Sequence, residues 1–465
     1  MRRLCAALGL WLLCATAPLA QGTVTLSSEQ LLAIGERALE AGDFATARRV
    51  AETFLAETPD SPRALLLGGY AALRAGDAET AIARGQAVWR GDGPRPAKRA
   101  AAELVAEAHL SREAFTPALT WLRRAARVAE PGPQRDRIRR AAARVEVLAP
   151  TRFTFGLTVA PSNNVNGGAD SPFIVAEGVP LVGTLSESAQ ALSGTVADLS
   201  FSARHRLSQS RNHRLIIGAA LFAREVWLSE DAREKAPDLS NSDLSYRRID
   251  AFIQRETIIA EGVELTVSAG PGFVWQAEEA RDALLSFDVQ LATRLDALAG
   301  ADAGRDAGAG ILRFGFAVEQ AYAQDDSSDQ TRIDLSAAYR VPLAGGQLTT
   351  GLRLGETRSQ SEFERSYRQT ILAGWQRPLE GLPITLGLSA ARSFTTYPDY
   401  TLLGIPVTGG RRDIRTVLRA QTAFRFENPW GLVPVLSFTV EETTSNVSRF
   451  ETDELGLGLS IRRSF

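Results

Sequence analysis

The chain has 465 residues, with 52 Lys+Arg against 54 Asp+Glu and 45% apolar residues. A net charge of −2 leaves no concentrated positive field for nucleic acid, and 3 His with 2 Cys nearly exclude a His/Cys metal site. The length exceeds one ordinary domain, and 39 Gly with 21 Pro is the content of a folded chain rather than a disordered one.

Residues 1–20 read as a secretory signal peptide. Arg2 and Arg3 form its positive start, Leu4–Ala15 its apolar stretch, and Ala15–Ala20 its small residues, with cleavage expected after Ala20. The apolar stretch is too short to cross a bilayer. Cys5 and Cys14 both lie here, so the exported chain is expected to carry no cysteine. Leu12 and Leu13 precede Cys14 where a lipidated cysteine needs a small residue, so no lipid anchor is expected. No later stretch approaches the length of a membrane-spanning helix, which leaves a barrel open because barrels cross with short alternating strands.

From Ser27 to Leu148 the spacing is helical, as in Leu31, Ile34, Ala38 and Ala41. Turn signals divide it at 41–43, at Pro59 and Pro62, at 75–77, at 91–96 and at 131–133. Ala41-Gly42-Asp43-Phe44-x-x-Ala47 is echoed 34 residues later by Ala75-Gly76-Asp77-Ala78-x-x-Ala81, and more weakly by Ala114-Phe115-x-x-Ala118. A helix–turn–helix period of that length resembles the tetratricopeptide repeat, in which stacked pairs build a solenoid with a concave groove. Glycine turns the chain, Ala47 and Ala81 admit close helix packing, and Phe44 is expected to supply bulk between repeats. An unrelated Ala-rich bundle is the alternative.

From Arg152 onward the period becomes two. Phe153, Phe155, Leu157 and Val159 oppose Thr154, Gly156 and Thr158, and Leu455, Leu457, Leu459 and Ile461 oppose Gly456, Gly458, Ser460 and Arg462. Fourteen such runs centre near 156, 201, 219, 251, 267, 290, 316, 336, 351, 371, 388, 420, 436 and 460. Short connections (208–212, 260–262, 344–346, 428–431) contrast with long ones (163–192, 396–412). The even count and both ends on one side predict a single-chain outer-membrane barrel, against the alternative of a soluble sandwich. Phe465 ends the last alternating strand, and with Ile461 it is expected to be the signal read by the barrel-assembly machinery. The predicted fold class is therefore α+β in separate domains. A periplasmic all-α tetratricopeptide-like solenoid (21–150) precedes a 14-stranded antiparallel transmembrane β-barrel (151–465).

Phe153-Thr-Phe-Gly-Leu-Thr-Val-Ala-Pro-Ser-Asn-Asn-Val-Asn166 opens the barrel, and Ser445-Asn446-x-x-x-Phe450 leads into Leu459-Ser-Ile-Arg-Arg-Ser-Phe465. With the signal peptide, short solenoid and barrel, these stretches resemble the surface lipoprotein assembly modifier (Slam) family. That resemblance implies an outer-membrane protein, in contact with outer-membrane lipids, that moves a lipoprotein or secreted protein client to the cell surface. It carries no catalytic residues and no cofactor, and the helical domain is shorter than a full repeat array.

The chemical motifs are absent: no Gly-x-Ser-x-Gly, phosphate loop with its helix, His-Glu-x-x-His or dinucleotide fingerprint occurs. Gly300–Gly310 lacks a following helix and reads as a flexible turn. Asp302 and Asp306, and the run 325–329, lack EF-hand spacing and read as solvated loops. Glu264 and Asp288 face the lumen without a nucleophile and base beside them, so no enzyme is expected. Between Arg95 and Arg144 twelve basic residues face six acidic ones in 95–150. Among them Arg123, Arg124, Arg127, Arg137 and Arg140 are candidate contacts for an acidic client segment or anionic headgroups. The blander reading is solvated helix faces written in Arg.

Two principal functions follow, a protein translocator and an export porin for an anionic exopolysaccharide, with a small-solute porin as the third. The second draws on Arg204, Arg294, Arg313, Arg332, Arg340, Arg353, Arg368 and Arg419 at lumen positions. Asp198, Glu264, Asp288, Glu319 and Asp334 dilute that lining.

Overall fold

A computed structural model of the chain describes residues 27–179, 182–295, 310–324, 328–361, 363–426 and 431–464. The signal peptide, Asp302, Asp306, Asp325, Asp326 and Phe465 lie outside the described residues. Seven helices come first among them: α1 (Ser28–Glu40), α2 (Phe44–Glu57), α3 (Pro62–Arg74), α4 (Ala78–Arg90), α5 (Arg95–Leu110), α6 (Phe115–Val128) and α7 (Pro133–Leu148). α3 starts 34 residues after α1, and α4 34 after α2, so the sequence echo is an echo of structure.

The repeat has a physical basis at each landmark. Gly42 and Gly76 turn the chain with φ of 81° and 89°, a region that costs other residues Cβ clashes. The next residues, Asp43 and Asp77, cap α2 and α4 by accepting from the Thr46 and Thr80 backbone N–H at 3.0 Å each. Ala47 and Ala81 are fully buried at 0% exposure, which lets the helix backbones approach. In the degenerate third copy Glu113 occupies the left-handed position at φ 56°, and Ala114 caps α6 without a side-chain bond. The bulk against the first cluster (Leu32, Ala47, Ala51, Leu67) comes from Phe54 and Leu55, whereas Phe44 is half-buried at the head of α2. Contacts divide the chain after Glu113 into two compact units, α1–α5 and a second unit holding α6, α7 and the barrel.

The barrel begins two residues after α7. Its strands are β1 (Thr151–Ser162), β2 (Gly194–Gln209), β3 (His213–Leu228), β4 (Tyr246–Ala260), β5 (Val263–Gln276), β6 (Glu279–Arg294) and β7 (Ile311–Ala323). The second half is β8 (Gln330–Leu343), β9 (Gly346–Ser359), β10 (Ser366–Pro378), β11 (Ile384–Tyr397), β12 (Arg411–Phe424), β13 (Val433–Ser445) and β14 (Thr452–Ser464). Every neighbouring pair is antiparallel, and β1 pairs with β14 to close the ring. Each of the fourteen centres expected from the alternation falls inside its strand. One end carries tight turns such as Ala344-Gly345, whose φ values are 52° and 71°; the other carries the long loops 163–193, 229–245 and 398–410 together with the two-residue turn Ala277-Glu278.

Alternation sorts the side chains by face. Leu285, Phe287, Leu335, Ile371, Leu388, Phe438 and Leu457 point outward and stay exposed, as they must against lipid. Trp227, Phe273, Tyr322 and Tyr367 face outward near the loop end, where amphipathic rings suit a membrane interface.

Two outcomes follow. Ala81→Leu forces extra methylenes into a closed helix contact and should cost roughly 1–3 kcal/mol, checked by urea unfolding of residues 27–113. Leu457→Arg, at a position 54% exposed on the outward face, should cost roughly 2–4 kcal/mol, checked by refolding into lipid vesicles.

Candidate functional site

The register puts all eight expected lumen arginines on the inner face, along with Asp198, Glu264, Asp288, Glu319 and Asp334. Several are engaged in place. Arg204 meets Glu256 at 3.7 Å, Arg332 meets Glu319 at 3.1 Å, and Arg419 Nε donates to Thr439 Oγ1 at 3.2 Å. Sequence reasoning missed Arg224, which grips both oxygens of Asp198 at 2.7 and 2.9 Å. It also missed Arg248, which joins Asp250 on its own strand to Glu319 on β7. Arg313, Arg340, Arg353 and Arg368 have no carboxylate partner among the described residues. Glu264 lies opposite Ala292 while Asp288 lies opposite Ser268, so four positions separate the two carboxylates along β5, about 13 Å at the strand rise. No group of three or more His, Cys, Asp or Glu is gathered for a metal among the described residues.

At the loop end, connections far apart in sequence form one cap. The segment after β1 carries a short hairpin (Phe173–Val175 with Val182–Thr184) and bonds to the loops before β12 and before β14. The Glu177 backbone N–H donates to Asn446 O at 3.0 Å, Thr408 N–H donates to Glu177 O at 3.3 Å, and the Arg412 guanidinium pairs with the Glu177 carboxylate. Ala176, Val179, Tyr400, Val407 and Val447 make its apolar core. Beside that core, Arg411 lies 3.7 Å from the Tyr397 ring and 3.5 Å from the Phe450 ring, and it pairs with Asp413 at 2.9 Å. Both partners are about nine-tenths shielded, at 11% and 12% exposure, so the pair is desolvated and stacked at once.

The two stretches that carried the family resemblance meet here. Asn163 Nδ2 donates to Asp453 O, and its Oδ1 accepts from the Leu455 N–H, each at 3.0 Å. Asn446 donates to Gly410 O and accepts from the Arg412 N–H, while Phe450 is the ring under Arg411. Asn164 and Asn166 bond within the first loop, to Gly168 O at 2.9 Å and Gln190 O at 2.8 Å.

At the turn end, Arg206 on β2 donates to Leu148 O at 2.7 Å and Val147 O at 3.3 Å, satisfying the last carbonyls of α7. The candidate arginines do not form one patch. Arg123 stands against the turn before β13, where a Cβ on Gly431 would lie 3.0 Å from its guanidinium carbon. Arg124 stacks 4.3 Å over Trp121, and burial together with the Arg127 charge lowers its pKa from the ordinary arginine value. Arg127, Arg137 and Arg140 are exposed and have no carboxylate partner among the described residues, the last two sharing a face of α7. Ile461 pairs with Leu157 across the β1–β14 seam and with Pro434 on β13.

Arg411→Ala leaves Asp413 unpaired under the cap and should cost roughly 3–5 kcal/mol locally. Protease added to intact cells should then cut the 163–193 and 398–410 loops faster than in the unaltered protein.

Residues 319–465 match the model of a family described as surface lipoprotein assembly modifier. No curated protein matches the chain. Among solved structures, PcrH in complex with the chaperone-binding region of PopD is 21% identical, covering 27% of this chain and 93% of its own, at a TM-score of 0.23. OprB of Pseudomonas putida is 10% identical over 70% of this chain and 97% of its own, with a TM-score of 0.38. A bacterial polysaccharide outer membrane secretin is 12% identical over 67% and 98%, with a TM-score of 0.31. The C-terminal third of the chain is thus similar to the surface lipoprotein assembly modifier family, and that match lies within a closed 14-stranded barrel of outer-membrane type that follows helical repeats.

Proposed function

We propose that the chain delivers lipoproteins or related effector proteins to the cell surface. The turn end, where Arg206 meets the end of α7, faces the periplasm, the loop cap faces outward, and the client enters the barrel from the turn end. The observation that carries this reading is the family match over residues 319–465, which spans the last seven and a half strands and the cap residues Arg411, Asn446 and Phe450. Stacked helical repeats supply an extended concave surface suited to a protein segment. Arg127, Arg137 and Arg140 offer unneutralised charge to an acidic stretch of client or to anionic headgroups. Phe465 with Ile461 is the contact proposed for the barrel-assembly machinery, and no catalytic role is assigned to any residue.

An export porin for an anionic exopolysaccharide is the second reading, favoured by Arg313, Arg340, Arg353 and Arg368 on the lumen wall. A deletion strain separates the two. Lipoprotein accessible to protease or antibody on intact cells should fall at least tenfold and return on complementation. Unchanged lipoprotein exposure with loss of an extracellular polysaccharide would instead establish the porin.

A further inference from the structure

The pairing of β1 with β14 runs without a break from Thr154↔Ser464 to Val159↔Leu459 and resumes only at Ser162↔Gly456. Ala160, Pro161, Leu457 and Gly458 have no partner across this seam. Each is paired on its other edge: Ala160 with Val196, Pro161 with Thr195, Leu457 with Phe438 and Gly458 with Ser437. The interruption therefore belongs to the seam and not to disordered strands. Pro161 has no N–H to give and a fixed φ, which removes one rung outright.

A second interruption exists, at Ala251–Phe252 facing Gly270–Pro271 between β4 and β5, again at a proline. Its setting differs. There the backbones press so closely that a Cβ on Gly270 would overlap the Ala251 carbonyl, and the Glu261-Gly262 turn ties the two strands covalently. β1 and β14 are joined by no such turn, because they are the first and last strands of the ring. Only non-covalent contacts hold them.

Those contacts change character along the seam. Below the gap, main-chain rungs are continuous and the Thr158 and Ser460 hydroxyls touch at 2.8 Å. Above it, side chains take over. Ser162 Oγ donates to Glu454 Oε1 at 2.8 Å, and Asn163 clasps Asp453 and Leu455 as described above. Such bonds can break and be replaced by water at the loop end. On the lumen side Gly456 and Gly458 present no side chain, and Ala160 only a methyl. A cavity of about 440 Å³ has Thr158, Ala160, Ser162 and the two glycines on the seam side, and charged groups such as Asp198, Arg224, Arg415 and Glu454 on its other sides. On the lipid side Val159, Leu457 and Leu459 form apolar rails.

We propose that the seam opens between Ala160–Pro161 and Leu457–Gly458, and that the gap passes the acyl chain of a lipidated client from lumen to outer leaflet. This rests on the translocator reading above. An acyl chain is thin and makes no hydrogen bonds, so it suits an opening that lacks bulky lumen side chains and already lacks main-chain rungs.

The test uses the full chain, whose natural cysteines are confined to Cys5 and Cys14. T158C/S460C locks the seam through a disulfide. T370C/S393C locks β10 to β11 at an equivalent lumen-facing hydroxyl pair, 2.9 Å apart, as control. Under oxidation the seam lock should reduce surface-exposed lipoprotein at least tenfold, with recovery on reduction, while the control lock changes nothing. Undiminished delivery by a fully oxidised seam lock overturns the passage. Hydrogen exchange of the purified chain in lipid nanodiscs reads the opening without a client. Amides at 158–160, 162 and 455–460 should exchange at least tenfold faster than those of the β10–β11 pair, and equal protection overturns the opening. A chain that exchanges fast at the seam yet exposes no lipoprotein overturns the translocator reading and the acyl passenger while supporting the opening.

Discussion

A backbone inside hydrocarbon has no water to satisfy its N–H and C=O groups, so a transmembrane sheet must close on itself. In this chain closure means bringing Thr158 to Ser460, some 300 residues away, with every strand between them paired to both neighbours. Much of the remaining organisation answers to that demand. An even number of strands returns the C-terminus to the end from which β1 departs, the end where Arg206 caps α7. Alternation then forces a sorted wall, with Leu457 and Phe438 outward and Ser437 and Gly458 inward, because a one-residue slip would reverse both faces.

The closing joint is also where the cap stands. Loops before β12 and β14 reach over to the loop after β1, and their bonds are long-range in sequence but local in space. Arg411 is the costliest element of that junction. Its charge is taken out of water, so its retention depends on Asp413 and the two rings together. Glu177 and Arg412, both about half-exposed, add less energy but fix which loops meet. The cap therefore ties the outer ends of β1, β12, β13 and β14 into one structure beside the weakest main-chain pairing in the ring's closure.

The periodic parts of this architecture were legible in the sequence. Strands announce themselves through alternation, and their fourteen centres were recoverable because lipid on one side and water on the other leave little freedom. The 34-residue echo was equally plain, since Gly42 and Gly76 with their capping aspartates answer purely local needs. The degenerate third copy shows where local reading weakens. Glu113 keeps the left-handed turn that glycine would have marked, and the compact units part just after it rather than at the change from helix to strand. The cap and the Arg248–Glu319 link were not legible, because no period connects Arg411 to Phe450 or β4 to β7. The Asn-rich run after β1 and Asn446 were visible as residues, but their role as clasps depends on a closure that only three dimensions supply.

The sorted wall sets a problem for a lipidated passenger that it does not set for a sugar polymer. A lumen lined by Arg313, Arg353, Asp288 and Glu319 suits hydrated or charged groups, whereas a hydrocarbon tail gains nothing there and loses its contact with the bilayer. A polysaccharide entering such a channel can remain in water from one end to the other. A lipoprotein cannot, because its protein part belongs outside and its tail belongs in the outer leaflet. The two destinations are separated by the barrel wall, so a client of that kind would require the wall to part somewhere along its height. Hydrogen-bonded hairpins resist parting because each carries a covalent turn and most carry an unbroken ladder. The joint between the first and last strands has neither over the length of Ala160–Pro161, and its outer clasp is made of side chains that water can replace. The same closure that lets the sheet exist in lipid thus leaves one line along which protein and tail can go separate ways.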